Sequence, residues 1–224
     1  MMTDREKILG RIREALAVPA PRPGHAPESS AHPSAQARRW LPLVGETFDE
    51  QIALFRKNAE DLKADFHLLT GQHELAPHLR ELSKKENWAR VASHRGEFAQ
   101  PASSALDLPV LLTDQPFDPF ALEGCDVGIT ECDALIAQTG SVLVTSRSAG
   151  GRAASVLPPH HVVIARREQL LPDLPAAFDL LKRKYQPDFP GFISLITGPS
   201  RTGDIERILV LGAHGPKKLT VFCF

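Results

Sequence analysis

The period of the apolar positions changes several times along the chain, and each change marks an element. Ile8, Leu9, Ile12 and Leu16 recur at helical spacing behind a T-x-x-E pattern at Thr3 and Glu6. Such a pattern lets a hydroxyl and a carboxylate satisfy the first free amides of a helix. Residues 1–17 are therefore expected to carry an amphipathic helix over 4–17. Residues 18–40 are rich in Pro, Ala and Ser and have no apolar period, as in an extended linker. A second T-x-x-E at Thr47 and Glu50 precedes Ile52, Phe55, Ala59, Leu62 and Phe66, whose alternating steps predict a helix over 49–64.

From there strand and helix patterns alternate. Residues 66–70 read as a strand, 73–87 as a helix and 89–93 as a strand. This β-α-β order predicts an α/β domain over 41–224 with a largely parallel sheet. Residues 108–113 read as a strand between turns. Residues 127–130 and 141–146 read as strands, with a short helix or turn beginning near Thr130. Residues 160–166 form another strand. Leu171, Leu174, Phe178, Leu181 and Tyr185 mark a helix capped by Asp173. Residues 192–197 read as a strand and 200–207 as a single helical turn. The last two strands are 208–212 and 219–224. The connection 212–218 is shorter than a parallel crossover needs, so an antiparallel return is expected between them.

Composition narrows the function classes. A chain of 224 residues suits one domain with a sizeable core, or a core plus a small appendage. Lys and Arg number 26 against 27 Asp and Glu, so no overall basic field invites nucleic acid or an anionic membrane. No apolar run approaches the roughly 20 residues of a membrane span. The charged N-terminus lacks a signal-peptide core, which makes the cytoplasm the expected location. Cys125, Cys132 and Cys223 are odd in number and show no C-x-x-C spacing. That argues against a disulfide framework or a cysteine-held iron–sulfur cluster in this chain. Dinucleotide, P-loop and H-E-x-x-H zinc patterns are absent, so no cofactor or metal is evident from the sequence.

Three glycine-bearing segments could hold a ligand. In 137–142, Thr139, Gly140 and Ser141 offer hydroxyls and amides to an anion, or simply close a tight turn. In 148–161, Gly150 and Gly151 permit unusual dihedrals and Arg152 carries a bidentate fork, unless it is only a solvated loop charge. His160 and His161 in the same segment would point opposite ways in a strand and chelate poorly. In 197–216, Gly198, Ser200, Arg201 and Thr202 follow a strand and precede a turn, a setting suited to an anion. A scaffold role is equally open, with Arg201 paired to Asp204 and Thr202 as a cap. His214 is either an acid–base group or a brace for its own turn.

Three stretches, GITECDALIAQTGSVLV, GRAASVLPPHHVVIAR and TGPSRTGDIERILVLGAHGP, occur in an order that resembles the lactate utilization protein C (LutC/YkgG) family, which carries the LUD domain. The likeness covers roughly 45–224. It implies a three-layer α/β/α fold with a mixed, largely parallel sheet, similar to the NagB/RpiA/CoA transferase-like group. It also implies a part in oxidation of L-lactate to pyruvate beside iron–sulfur oxidoreductase-like partner subunits, with the clusters in those partners. It supplies no catalytic residue and leaves a homo-oligomer open. The family reads A-E-T-G where this chain has Gln138, and an amide cannot act as a general base. Gly203 replaces the family's Ala, which weakens a helix start. A small anionic ligand held by 139–141, 151–152 and 198–204 is the leading expectation. Acyl or CoA transfer, nucleotide binding, and a non-catalytic assembly role remain alternatives.

Overall fold

The computed structural model describes residues 4–17, 43–205, 208–211 and 215–224, with the backbone alone at 4, 15–16, 202–205 and 208–211. The chain divides into two compact units, Met1–Leu41 and Pro42–Phe224. In the first, helix α1 spans Asp4–Ala17. The expected linker 18–40 lies outside the described residues.

The second unit opens with α2, Phe48–Asp61, and the capping box spelt by Thr47 and Glu50 is formed. The Glu50 amide donates to the Thr47 hydroxyl at 3.3 Å and the Thr47 amide donates to the Glu50 carboxylate at 3.0 Å. Strand β1 (Asp65–Leu68), helix α3 (Leu75–Glu86) and strand β2 (Val91–Ser93) follow. Next come α4 (Ala99–Ser104), β3 (Val110–Leu112), α5 (Pro119–Glu123) and β4 (Val127–Glu131). The remaining elements are β5 (Ala134–Ile136), β6 (Ser141–Thr145), β7 (His160–Ala165), β8 (Leu170–Leu171), α6 (Leu174–Tyr185) and β9 (Ile193–Ile196). The chain ends with β10 (Arg201–Ile205), β11 (Ile208–Leu211) and β12 (Lys218–Cys223).

Six strands form a parallel sheet in the order β1-β12-β7-β4-β2-β3. Four form a second sheet, β8-β5-β6-β9, in which β6 runs antiparallel to both β5 and β9. One face of the parallel sheet packs Val162, Ile164 and Phe222 against Leu75 and Leu79 of α3 and Ala102 of α4. The other face packs Val163, Leu219 and Val221 against α2 and against Leu135, Val142 and Val144 of the second sheet. Helix α6 covers the outer side of that second sheet through Ala177, Leu181 and Tyr185. Strand β7, buried at all of its positions, is covered on both faces, which is why it reads as a continuous run.

Several expectations are corrected. The segment after Thr130 is strand β5 rather than a short helix or turn, because β6 and β8 supply its ladder partners. Residues 201–205 form β10, paired antiparallel with β11, rather than a helical turn. The expected antiparallel return between the last two strands does not occur. β12 lies parallel between β1 and β7, while β11 belongs to a separate hairpin. A short connection constrains direction only between neighbours in one sheet, and these strands are not neighbours. Among the described residues no helix is long and apolar enough to cross a membrane.

Candidate functional site

The 137–140 turn is fixed from below by α2. The Asn58 side-chain amide donates to the Ala137 carbonyl at 2.9 Å and to the Gln138 carbonyl at 3.0 Å. Gly140 has φ +63°, and a Cβ there would meet the Ala59 nitrogen at 2.7 Å. Only glycine allows that approach. Ser141, buried at the start of β6, shares a 2.8 Å hydrogen bond between its hydroxyl and that of Thr197. Gly198, φ +83°, rests on the carbonyl of Leu62, the residue that caps α2. The Arg201 guanidinium donates to the same Leu62 carbonyl. Both loops therefore dock on the last turn of α2.

Beside them lies a cavity of about 300 Å³ lined by Ser155, Ser194, Thr197, Gly198, Ser200 and Gly215, among others. The Ser200 amide is already spent on the Pro216 carbonyl at 2.8 Å. This cavity neighbours the amino ends of β7 and β12, where the Lys217 amide bonds the Pro159 carbonyl. Strand β9, which leads into it, belongs to the second sheet, so the rule that ligands gather at parallel-strand carboxyl ends does not apply there.

The structure brings Thr139, Gly140, Ser141, Gly198, Ser200 and Arg201 into one neighbourhood. The Thr139 hydroxyl oxygen is buried without a protein partner. Gly151 stands apart, on a second cavity. Arg152 is exposed and lines neither cavity; its carbonyl accepts from the Ser155 hydroxyl at 3.1 Å. The Thr202 side chain and His214 lie outside the described residues.

The second cavity, about 490 Å³, is lined by Thr113, Asp114, Gln115, Ser146, Arg147 and Gly151, among others. It sits beyond the carboxyl ends of β3 and β6. Gly150, φ +62°, presses on His94, whose Cβ a side chain at 150 would meet at 2.1 Å. Burial pushes the His94 imidazole below its ordinary value, against the opposing pull of Glu131 and Asp114. Its Nε2 accepts from the Glu131 amide at 3.2 Å. Asp114 pairs with Arg95 at 2.9 Å. Burial would raise that carboxyl, but the Arg95 hydrogen bond holds it below the usual range.

A buried network supports this cavity from behind. Asp133 accepts from Tyr185 at 2.6 Å and from Lys184 at 2.7 Å, and the Tyr185 hydroxyl lies 3.2 Å from that of Thr145. Burial raises the Asp133 carboxyl, and hydrogen bonds from Lys184, Tyr185 and Ser148 outweigh it and hold it low. Arg147 lies over the Tyr185 ring at 5.4 Å and pairs with Asp188. Sequence reasoning missed His94, Asp114, Asp133, Arg147, Lys184 and Tyr185. One signal was present: Tyr185 is the only tyrosine in the chain. Its helical spacing hid its hydroxyl.

Two stacked sheets with helices outside them define a mixed α/β domain, and comparison with known proteins narrows that class. The LUD domain family matches residues 121–223. The lactate utilization protein C of Oceanobacillus iheyensis is 27% identical over 97% of this chain and 96% of its own. That of Macrococcus caseolyticus is 29% identical over 80% of this chain and 79% of its own. A crystal structure of a DUF162 family protein from Deinococcus radiodurans shares the fold, with a TM-score of 0.61 and 20% identity over 81% of this chain and 99% of its own. The carboxyl-terminal half of the chain thus matches the LUD domain family, and nearly the whole chain is similar to proteins named lactate utilization protein C.

Proposed function

We propose that this chain serves lactate utilization, as a subunit taking part in oxidation of L-lactate to pyruvate, and that it binds a small anionic ligand in the cavity beside Ser200. Similarity to proteins named for lactate utilization, along nearly the whole chain, supports the first part. The second part is carried by the Ser141–Thr197 hydroxyl pair, which sets the Thr139–Ser141 turn beside the cavity wall. Hydroxyls of Ser155, Ser194, Thr197 and Ser200 offer hydrogen bonds to an anion there. Oxidation of a hydroxy acid releases an electron pair. The three cysteines here are buried, and burial raises each thiol, a state suited to packing rather than ligation. On the family resemblance, the electrons would pass to iron–sulfur partner proteins.

The test joins growth to binding. In a bacterium lacking its own copy, the wild-type chain is expected to restore growth on L-lactate. The double variant Thr197→Val, Ser200→Ala is expected to weaken pyruvate or lactate binding by about tenfold in calorimetry, as loss of hydrogen bonds to a charged ligand predicts. Failure to restore growth overturns the lactate reading. Unchanged binding in the double variant removes the ligand from this cavity.

A further inference from the structure

We propose that the cavity at the carboxyl edge of the parallel sheet is a second site, which takes a small hydroxy acid with its carboxylate on Arg147 and its hydroxyl on Asp114. The choice of hydroxy acid rests on the lactate reading; the existence of the site rests on three features of the fold.

The first is position. The cavity opens at Thr113, just past the end of β3, and at Ser146, just past the end of β6, so it lies at the carboxyl end of a parallel strand, the end at which open α/β sheets hold ligands. Gly150 on its lining packs against His94, which follows β2.

The second feature is construction. The Thr113 hydroxyl donates to the Gly150 carbonyl at 2.9 Å, and the Gly151 amide donates to the Ser146 carbonyl at 2.7 Å. Gly150 and Gly151 both have positive φ, and His94 leaves no room for a side chain at 150. The loop is thus bolted down on both sides of the cavity rather than left to solvent. Arg147 springs from the end of β6, and the neighbouring Thr145 is tied to Tyr185 and through it to buried Asp133. A guanidinium on that base is presented from a fixed point.

The third feature is charge. Arg147 is a cation on one wall, and its partner Asp188 is largely exposed, with 85% of its side-chain surface accessible. Such a solvated pair is weak, so a ligand carboxylate can take the place of Asp188 on the same fork. Asp114 is an anion on the same lining and is held ionised by Arg95, so it accepts hydrogen bonds but does not donate them. A cation and an obligate acceptor together select a molecule with a carboxylate and a hydroxyl. Ser146 and Gln115 supply neutral contacts, and about 490 Å³ leaves room for bridging water.

The probes are L-lactate and propionate, which share a carboxylate and differ in the hydroxyl, titrated calorimetrically into the full chain. Wild type is expected to prefer L-lactate by about tenfold. Arg147→Met is expected to weaken both by about tenfold or more, since both lose the charged fork. Asp114→Asn is expected to erase the preference while leaving propionate unchanged. The Thr197→Val, Ser200→Ala variant should leave the preference intact, and thermal melting confirms that each variant folds. The inference is overturned if wild type does not bind L-lactate, or if Arg147→Met and Asp114→Asn both bind as wild type does. Growth on lactate separates the two proposals. Growth restored with binding indifferent to Arg147 and Asp114 sinks this site alone. Binding that depends on both residues, without restored growth, sinks the lactate reading alone.

Discussion

Gly140 shows how little freedom one residue has where two loops meet a helix end. Its φ is +63°, and the atoms that a Cβ would strike include helix backbone, the Ala59 nitrogen at 2.7 Å and the Asn58 carbonyl carbon at 2.8 Å. Backbone inside α2 cannot step aside without breaking helix bonds. Gly140→Ala is therefore expected to cost about 2 kcal/mol or more, from strain and overpacking together. Gly191→Ala, with nothing within 4 Å, is the control and should stay within about 0.5 kcal/mol in urea unfolding. Tyr185 is a second decisive residue. Its hydroxyl is one of the donors that keep buried Asp133 ionised. Tyr185→Phe removes that donor while keeping the ring that packs in the α6 core. The expected loss is about 1–2 kcal/mol, and a melting temperature unchanged from wild type would show that Lys184 and Ser148 suffice.

Elements that depend on local chemistry behave differently from those made by pairing. Helix α2 begins at a capping box whose members are three residues apart, so Thr47→Ala should cost about 1 kcal/mol and fray the first turn in hydrogen exchange. The same locality made this helix legible in the sequence, as it did α6 behind Asp173, whose carboxylate accepts from the Ala176 amide at 2.9 Å. β1, β2 and β7 were legible too, because apolar runs between helices announce buried parallel strands. β5 was not, since its three residues become a strand only through partners on β6 and β8. The direction of β12 was not, since its neighbours β1 and β7 lie far back in the chain. At the candidate site the loops were legible, but which of them meet was not. Thr139–Ser141 and Gly198–Arg201 converge because α2 offers both the same last turn. Gly151 was separated from them by a loop that crosses the sheet, with Gly150 against His94 and Ala154 against Gly128. Spacing specifies a face of an element; it does not specify where a loop comes to rest.

At the scale of the whole molecule, the centre of the parallel sheet carries an acid-sensitive feature. His160 and His161 sit side by side on β7, each with Nε2 bound to a threonine hydroxyl on a neighbouring strand, Thr220 at 2.9 Å and Thr130 at 2.9 Å. Burial lowers His160 from 6.5 to about 4, with Lys218 adding to the shift and Glu86 and Asp65 opposing it. Burial lowers His161 from 6.5 to about 3, and His160 adds to the shift. His94 is lowered too, again by burial. Below pH 6.5 the imidazoles of the unfolded chain take up protons while those inside the sheet do not. The unfolded state then binds more protons, so stability falls as pH falls, down to the folded-state values of about 4 and about 3. Each histidine contributes about 1.4 kcal/mol per pH unit within its window. Urea unfolding near pH 7 and near pH 5.5 should therefore differ by about 2–3 kcal/mol from this pair alone. His161→Gln keeps a polar group facing Thr130 and removes one titration, so the difference should shrink by about 1.2 kcal/mol, half of the pair's share, whatever the absolute stability of the variant. A pH dependence as steep in His161→Gln as in wild type would move the acid sensitivity out of the sheet and onto other groups.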